Sequence, residues 1–356
     1  MDFEFHDAQE QLRDSVRRYL ADRAPISYVR SHYGRPVPVD AVWSGLVDLG
    51  LTAMPIPEHS GGTGAGLVDL ALVLGEMGRS VYPGPFASSA VGATSLLVAL
   101  PGDAVAAEWL PRLASGAAVA TIARSDARST PVRTDEHGAL RGAKVHVPDA
   151  EFADLVLVIA DAGTACIAVR ADEPGVTITR TETVDGSRSF ATVALDGARG
   201  TTLTGDVPAA VEAATDRLGV AWVLDGIGAA ERALELTLDY AKVREQFGRP
   251  IGSFQAVQHL CADMLRAIEL GRAVGYYAAW ACDDASPEER HRAATMARAF
   301  AANDFYRVAA SAIQIFGGVG FTWEHDIHLF YKRLLTLQLA GGSATDHLES
   351  LATIVL

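Results

Sequence analysis

The chain has 356 residues, more than one hydrophobic core usually organises, so two or three domains are expected. Hydrophobic residues make up 49% and charged residues 21%, which excludes an intrinsically disordered chain, and the formal net charge of −14 opposes electrostatic capture of nucleic acid. Cys166, Cys261 and Cys282 are too few and too scattered for a disulfide framework or a Cys-rich metal site, so thiols in a reducing compartment are expected.

The N-terminal stretch Met1 to His6 has no basic segment followed by an apolar one, and no apolar run reaches membrane-spanning length, so a cytoplasmic protein is expected. After Asp7, which pairs with Glu10 as a capping box, Leu12, Val16, Tyr19 and Leu20 recur at helical spacing and predict an amphipathic helix. From Trp43 to about Leu113 the pattern stays helical, broken by Pro55, Pro57 and Gly61-Gly62-Thr63-Gly64. The texture changes near Ala118. Runs at Ala118 to Ile122, Leu155 to Ala160, Cys166 to Arg170, Val176 to Arg180 and Phe190 to Leu195 alternate with turn residues, which predicts an antiparallel barrel or sandwich. Beyond Pro208 long helices return. They run from Leu218 to Val243, from Gln255 to Cys282, and from an N-cap at Ser286, with Pro287 first and Glu289 completing a capping box, to Phe316 before Gly317. A last helical segment near the C-terminus completes a four-helix bundle. The expected class is α+β, with a helical domain over 1–117, a β domain over 118–207 and a bundle over 208–356.

One segment carries chemistry: Tyr240-Ala-Lys-Val-Arg244-Glu-Gln246-Phe247-Gly248-Arg249-Pro250-Ile251-Gly-Ser-Phe254-Gln255. A helix end with Arg, Gln and an aromatic beside Gly and Pro offers charged and amide donors next to an apolar plate. Such a set suits a diphosphate joined to a ring system, although composition alone fits better a solvated helix end with its dipole satisfied. The order of residues decides between them. The stretch, continued by Cys261-Ala-Asp263-Met264, resembles the signature of the acyl-CoA dehydrogenase family. Gln314-Ile315-Phe316-Gly317-Gly318-Val319-Gly320-Phe321, followed by Glu324 and Tyr331-Lys332-Arg333, resembles its second signature, in which adjacent glycines let a backbone approach a ligand closely. Trp43 to Gly78, with Pro57-Glu58, Gly61-Gly62-Thr63-Gly64 and Gly75-Glu76, resembles the family's N-terminal domain.

The resemblance implies an acyl-CoA dehydrogenase-like fold, a tetramer, FAD as cofactor, an acyl-CoA thioester as substrate, and an electron-transfer flavoprotein or equivalent acceptor. It implies that Arg244, Gln246 and Phe247 contact the pyrophosphate and adenosine half of FAD. Gln255 belongs to the same set, while Gln314, Gly317 and Gly318 add amide and backbone contacts toward the FAD of a neighbouring subunit. No membrane or metal role is implied.

The chain departs from this pattern where the chemistry should sit. The family's base, a glutamate shortly after the second signature, falls on Gly341 within Gln338-Leu339-Ala340-Gly341-Gly342-Ser343-Ala344. Some members place the glutamate on the first bundle helix instead, a position occupied here by Leu218, with the neighbouring family arginine replaced by Gly219 beside Arg217. Asp216 lies about 200° around the helix from Leu218, on another face. In the β domain, Ala123-Arg124-Ser125-Asp126-Ala127-Arg128-Ser129 replaces the segment that holds flavin and thioester. His146 and Pro148 stand for the Trp and Thr beside the isoalloxazine, and proline has no N–H to offer flavin N5. Residues that serve a flavin across an interface are thus kept while the chain's own reaction centre is depleted. That asymmetry resembles the non-catalytic partner subunits of heteromeric acyl-CoA dehydrogenases from bacterial steroid side-chain degradation. The alternatives are a self-sufficient homotetramer whose base is Asp216, His146 or Asp346, and a non-enzymatic acyl-CoA binding protein.

Overall fold

A computed structural model describes residues 5–35, 41–339 and 341–356, so most of the N-terminal stretch read above, Met1 to Glu4, lies outside the described residues. Helices α1 (Asp7–Arg23), α2 (Ile26–His32), α3 (Ala41–Asp48), α4 (Leu67–Arg79), α5 (Thr94–Val98) and α6 (Ala104–Ala114) come first, with a π-helical stretch at Ala87–Ala93. Strands follow: β1 (Ala120–Ala123), β2 (Arg133–Thr134), β3 (Leu140–Pro148), β4 (Leu155–Ala160), β5 (Ala165–Arg170), β6 (Val176–Thr181), β7 (Phe190–Ala198) and β8 (Thr201–Thr202). The last third holds α7 (Val207–Val243), the short strands β9 (Glu245–Gln246) and β10 (Arg249–Pro250), then α8 (Gln255–Asp284), α9 (Pro287–Phe316), α10 (Ile327–Thr336) and α11 (Ala344–Val355). The α+β architecture, with helices before and after a sheet region, is the one expected.

Two compact units divide the described chain: one drawn from Met1–Ser31, Ala71–Tyr82 and Gly219–Leu356, the other from His32–Leu70 and Pro83–Leu218. In the second unit, two four-stranded sheets run β1-β4-β5-β8 and β2-β3-β7-β6. Their shared core joins Val156, Val158, Ile167 and Val169 to Leu140, Val147, Val193 and Leu195. The opposite face of the first sheet, Leu155, Leu157 and Ile159, packs on Leu96, Leu97, Trp109 and Leu113. Because β4 is covered on both faces, its sequence Leu-Val-Leu-Val-Ile-Ala is apolar throughout rather than alternating.

Four expectations are corrected. The sheets are not wholly antiparallel, since β1 pairs parallel with β4. A parallel pair needs a long crossover, and here the chain passes through β2 and β3 of the other sheet before it returns. Strand β3 was not among the expected runs because Gly142, Lys144, His146 and Pro148 break its apolar pattern. At α1 the cap is His6, whose N–H donates to Gln9 Oε1 at 2.8 Å, in place of Asp7 with Glu10. At α9 Ser286 Oγ accepts from the Glu289 N–H at 3.3 Å, but the Glu289 carboxylate takes the Tyr277 hydroxyl and the Arg292 guanidinium instead of closing the capping box.

The first unit is a bundle whose helices approach through glycines. Phe305 of α9, fully buried, lies where a Cβ on Gly271 would meet its ring at 2.5 Å and one on Gly226 at 3.0 Å. Where α4 meets α7, a Cβ on Gly78 would stand 1.7 Å from the Asp225 carbonyl oxygen, and one on Gly228 1.7 Å from that of Gly75. Backbone cannot yield as a side chain does. Gly78→Ala is therefore expected to destabilise the chain by an amount toward the upper end of about 1–3 kcal/mol, read as a lowered midpoint in urea unfolding. No helix of the described residues is long and apolar enough to cross a membrane, and among them no group of three or more His, Cys, Asp or Glu could hold a metal ion.

Candidate cofactor-binding site

Helix α7 ends at Val243, and the chain reverses through β9 and β10 before α8 begins. Arg244 donates its N–H to the Tyr240 carbonyl at 2.9 Å and its carbonyl accepts from Ile251 N–H at 2.8 Å, which fixes the backbone and leaves the side chain exposed. Gln246 pairs with Arg249 across the hairpin, so the turn residues are Phe247 and Gly248, with φ of 53° and 74°. Two central residues at positive φ define the type I′ turn that matches strand twist. Glycine takes this conformation freely, whereas a phenylalanine held there is strained. Phe247 nevertheless stands 93% exposed, its ring edge-to-face with that of Phe254 at a centroid separation of 6.1 Å, and the Arg249 guanidinium lies over Phe254 at 4.1 Å. The Gln246 amide donates to the Glu245 carbonyl at 2.8 Å, and Gln255, exposed, opens α8.

The second signature lies at the same end of the bundle. Phe316, the last residue of α9, stacks on Tyr240 with ring centroids 4.3 Å apart and planes 20° from parallel, and His325 packs on Phe316 at 4.3 Å. Rings from two stretches far apart in sequence therefore join the two signatures. Gln314, Gly317 and Gly318 are exposed, and a Cβ on either glycine would meet no atom within 4 Å. Gly317 has φ of 63°, which stops the helix and leaves open space beside the backbone. Beyond it, Phe321 is 76% exposed, and the Lys332 ammonium sits 4.6 Å above the Trp323 ring. His328 packs edge-on to Trp323 at 4.6 Å, and burial, with Lys332 nearby, holds its imidazole neutral down to about 4. Arg333, by contrast, turns into the interior and is 2% exposed.

Arg244, Gln246, Phe247, Gln255, Gln314, Gly317 and Gly318 thus all lie on the first unit, and the Tyr240–Phe316 stack brings the two signatures that contain them together. Guanidinium, three carboxamides, open glycine backbone and an aromatic plate form a donor set that fits a diphosphate attached to rings.

Sequence reasoning missed Lys144. It is 1% exposed on β3, 2.6 Å from the Asp126 carboxylate, and donates to the Arg124 carbonyl at 3.0 Å. It thereby pins Arg124-Ser125-Asp126, the segment singled out as atypical. Burial lowers its pKa, and Asp126 opposes that shift. His146 sits exposed at the bulge between Lys144 and Val147, at φ of 53°. The Pro148 carbonyl accepts from Thr121 Oγ1 at 2.5 Å.

At the position expected for the base, Gly341 has φ of 77° and its carbonyl accepts from Arg298 at 2.8 Å. Leu218, at the alternative position, is half-buried and lies where a Cβ on Gly92 would touch its side chain at 3.2 Å. Asp216 is 1% exposed. The Asp346 carboxylate caps α11, accepting from Ser343 N at 2.7 Å and Ser343 Oγ at 2.8 Å, bonds that hold it below the usual carboxylate range.

Comparison with known proteins accords with this geometry. Residues 6–117 match the family model for the acyl-CoA dehydrogenase N-terminal domain, and residues 211–356 match that for the acyl-CoA dehydrogenase C-terminal domain. Acyl-CoA dehydrogenase IpdE2 of Mycobacterium tuberculosis is 35% identical over 94% of this chain and 92% of its own. Among solved structures, a variant of the Tcur3481–Tcur3483 steroid ACAD superposes with a TM-score of 0.89 at 29% identity, covering 98% of each chain. The ChsE4–ChsE5 complex from Mycobacterium tuberculosis gives 0.87 at 28% identity, covering 99% of this chain and 98% of the other. The chain belongs to the acyl-CoA dehydrogenase family, a family of FAD-dependent oxidoreductases. Its cofactor is FAD.

Proposed function

We propose that this chain is the pocket-completing subunit of a heteromeric FAD-dependent acyl-CoA dehydrogenase that acts on a bulky, steroid-derived acyl-CoA thioester. The reading retains the division into 1–117, 118–207 and 208–356, with FAD contacts in the last part. The observation that carries it is a contrast within one chain: donors stand exposed at Arg244, Gln246 and Gln314, while Gly341 presents only a hydrogen where a carboxylate is needed. Both structural relatives named above are two-component assemblies by their names, which supports a homologous partner.

α,β-Dehydrogenation requires removal of an α proton by a base and departure of the β hydrogen as hydride. FAD, when bound, supplies the hydride acceptor. Loss of a positioned general base costs about 10²–10⁴ in rate, so the proton is taken by the partner's carboxylate. This chain's share is binding. Arg244 would pair with the pyrophosphate, Gln246 and Gln314 would offer amide N–H groups, the open Gly317-Gly318 backbone would lie against the cofactor, and Phe247 would cover a ring.

The rival bases have less to recommend them. Asp346 is occupied as a helix cap, Asp216 is buried, and His146 faces solvent. Purified alone, the chain is expected to be colourless and to show no dye-linked dehydrogenation. Co-expressed with a homologous subunit, it should yield a yellow complex holding less than one flavin per chain and turning over an acyl-CoA. Turnover at an ordinary enzymatic rate by the unaccompanied chain would sink the proposal.

A further inference from the structure

We propose that Arg298 plugs the position that a catalytic carboxylate would occupy, so that this chain holds a fixed cation there and Gly219, Gly341 and Arg298 work as one unit. The inference rests on Gly341 being the base position, as argued above, and it explains two departures at once. Arg298 projects from α9, and its Nη2 donates to the Gly341 carbonyl at 2.8 Å. A Cβ on Gly341 would lie 2.9 Å from that same nitrogen and 3.9 Å from the Trp222 ring. A Cβ on Gly219 would lie 2.6 Å from Arg298 Cδ. Contacts under 3.0 Å are essentially never seen for a real Cβ, so a side chain at either glycine would have to displace the arginine.

The two glycines therefore clear a path for one long side chain. Gly219 makes room for its stem and Gly341 for its guanidinium. The free space left beside Gly219, Trp222, Arg298, Leu337 and His347 is about 10 Å³. A single water needs about 10–15 Å³, so the place beside Gly219 is filled while Arg298 stays. Charge acts in the same direction as shape. A guanidinium never gives up its proton in a protein and favours the ionised form of any carboxylate beside it, which makes that carboxylate a poorer base. Restoring glutamate at 341 alone would thus create an ion pair instead of a proton acceptor.

The test uses the chain assembled with its partner subunit and FAD, carrying Gly341→Glu, Arg298→Gln or both, with ¹³C-labelled glutamate carboxyls. The added carboxyl is followed by infrared difference spectra against the matching chain with Gly341. In Gly341→Glu it is expected to bind its proton about ten- to a thousandfold more weakly than in the double variant. Equal proton affinities would show that Arg298 does not stand at that position. Should Gly341→Glu fail to fold, Arg298→Ala on the otherwise unchanged chain decides the matter. Its melting temperature is expected to rise with millimolar methylguanidinium, which refills the vacated place, while the parent's does not. Absence of that rescue would overturn the proposal. Activity of the unaccompanied chain would refute the subunit reading and leave these titrations as they are, so the two failures are distinguishable.

Discussion

Replacing Arg333 with methionine is expected to lower the unfolding free energy by about 3–5 kcal/mol. The Arg333 guanidinium is bound to both oxygens of Asp225, at 3.0 and 2.9 Å, and to the Tyr82 carbonyl at 2.9 Å. Arg333 is 2% exposed and Asp225 3%. Removing the cation leaves a carboxylate and a carbonyl facing each other in a medium that solvates neither, and this uncompensated burial, more than the lost attraction, sets the size of the effect. The double replacement Arg333→Met with Asp225→Leu removes both charges and should recover most of the loss. Urea unfolding of the two variants separates the causes: if the double variant is as unstable as the single one, packing rather than charge is responsible.

The second large effect concerns the cofactor. Arg244→Ala in the assembled complex is expected to weaken FAD binding about ten- to a hundredfold, the value of losing one charge-assisted hydrogen bond of about 1.5–3 kcal/mol to a phosphate. Its backbone is anchored by Tyr240 and Ile251 while its side chain is exposed, so the fold should not suffer. Lysine keeps the charge but loses the planar fork, so Arg244→Lys should recover only part of the affinity. Flavin fluorescence titration of apo-complex gives the constants. An unchanged FAD affinity in Arg244→Ala would remove this residue from the proposed contact set.

Local signals were legible in the sequence. Ser286, Pro287 and Gly317 announced both ends of α9 because capping chemistry is written within a few residues of each end. The uninterrupted apolar run at Leu155–Ala160 announced β4 for a similar reason. What stayed hidden depends on partners distant along the chain. Lys144 reads as a surface residue until Asp126 folds over it, and its charge masked β3. Arg333 sits in a run of charged and aromatic residues that reads as exposed, yet Asp225 lies 108 positions away. The candidate site shows the same division. The order of residues around Arg244 and Gly317 was readable, whereas the arginine that fills the space beside Gly341 stands 43 positions upstream with no periodicity to mark it.

The stacking of Tyr240 on Phe316 has a consequence for affinity. Each of the two segments it joins, the turn after α7 and the glycine pair after α9, would lose conformational freedom on gripping a ligand if it moved independently. Clamped ring to ring at 4.3 Å, they are already ordered when the polypeptide folds. Less entropy then remains to be surrendered on association, so a modest number of hydrogen bonds can hold a large dinucleotide.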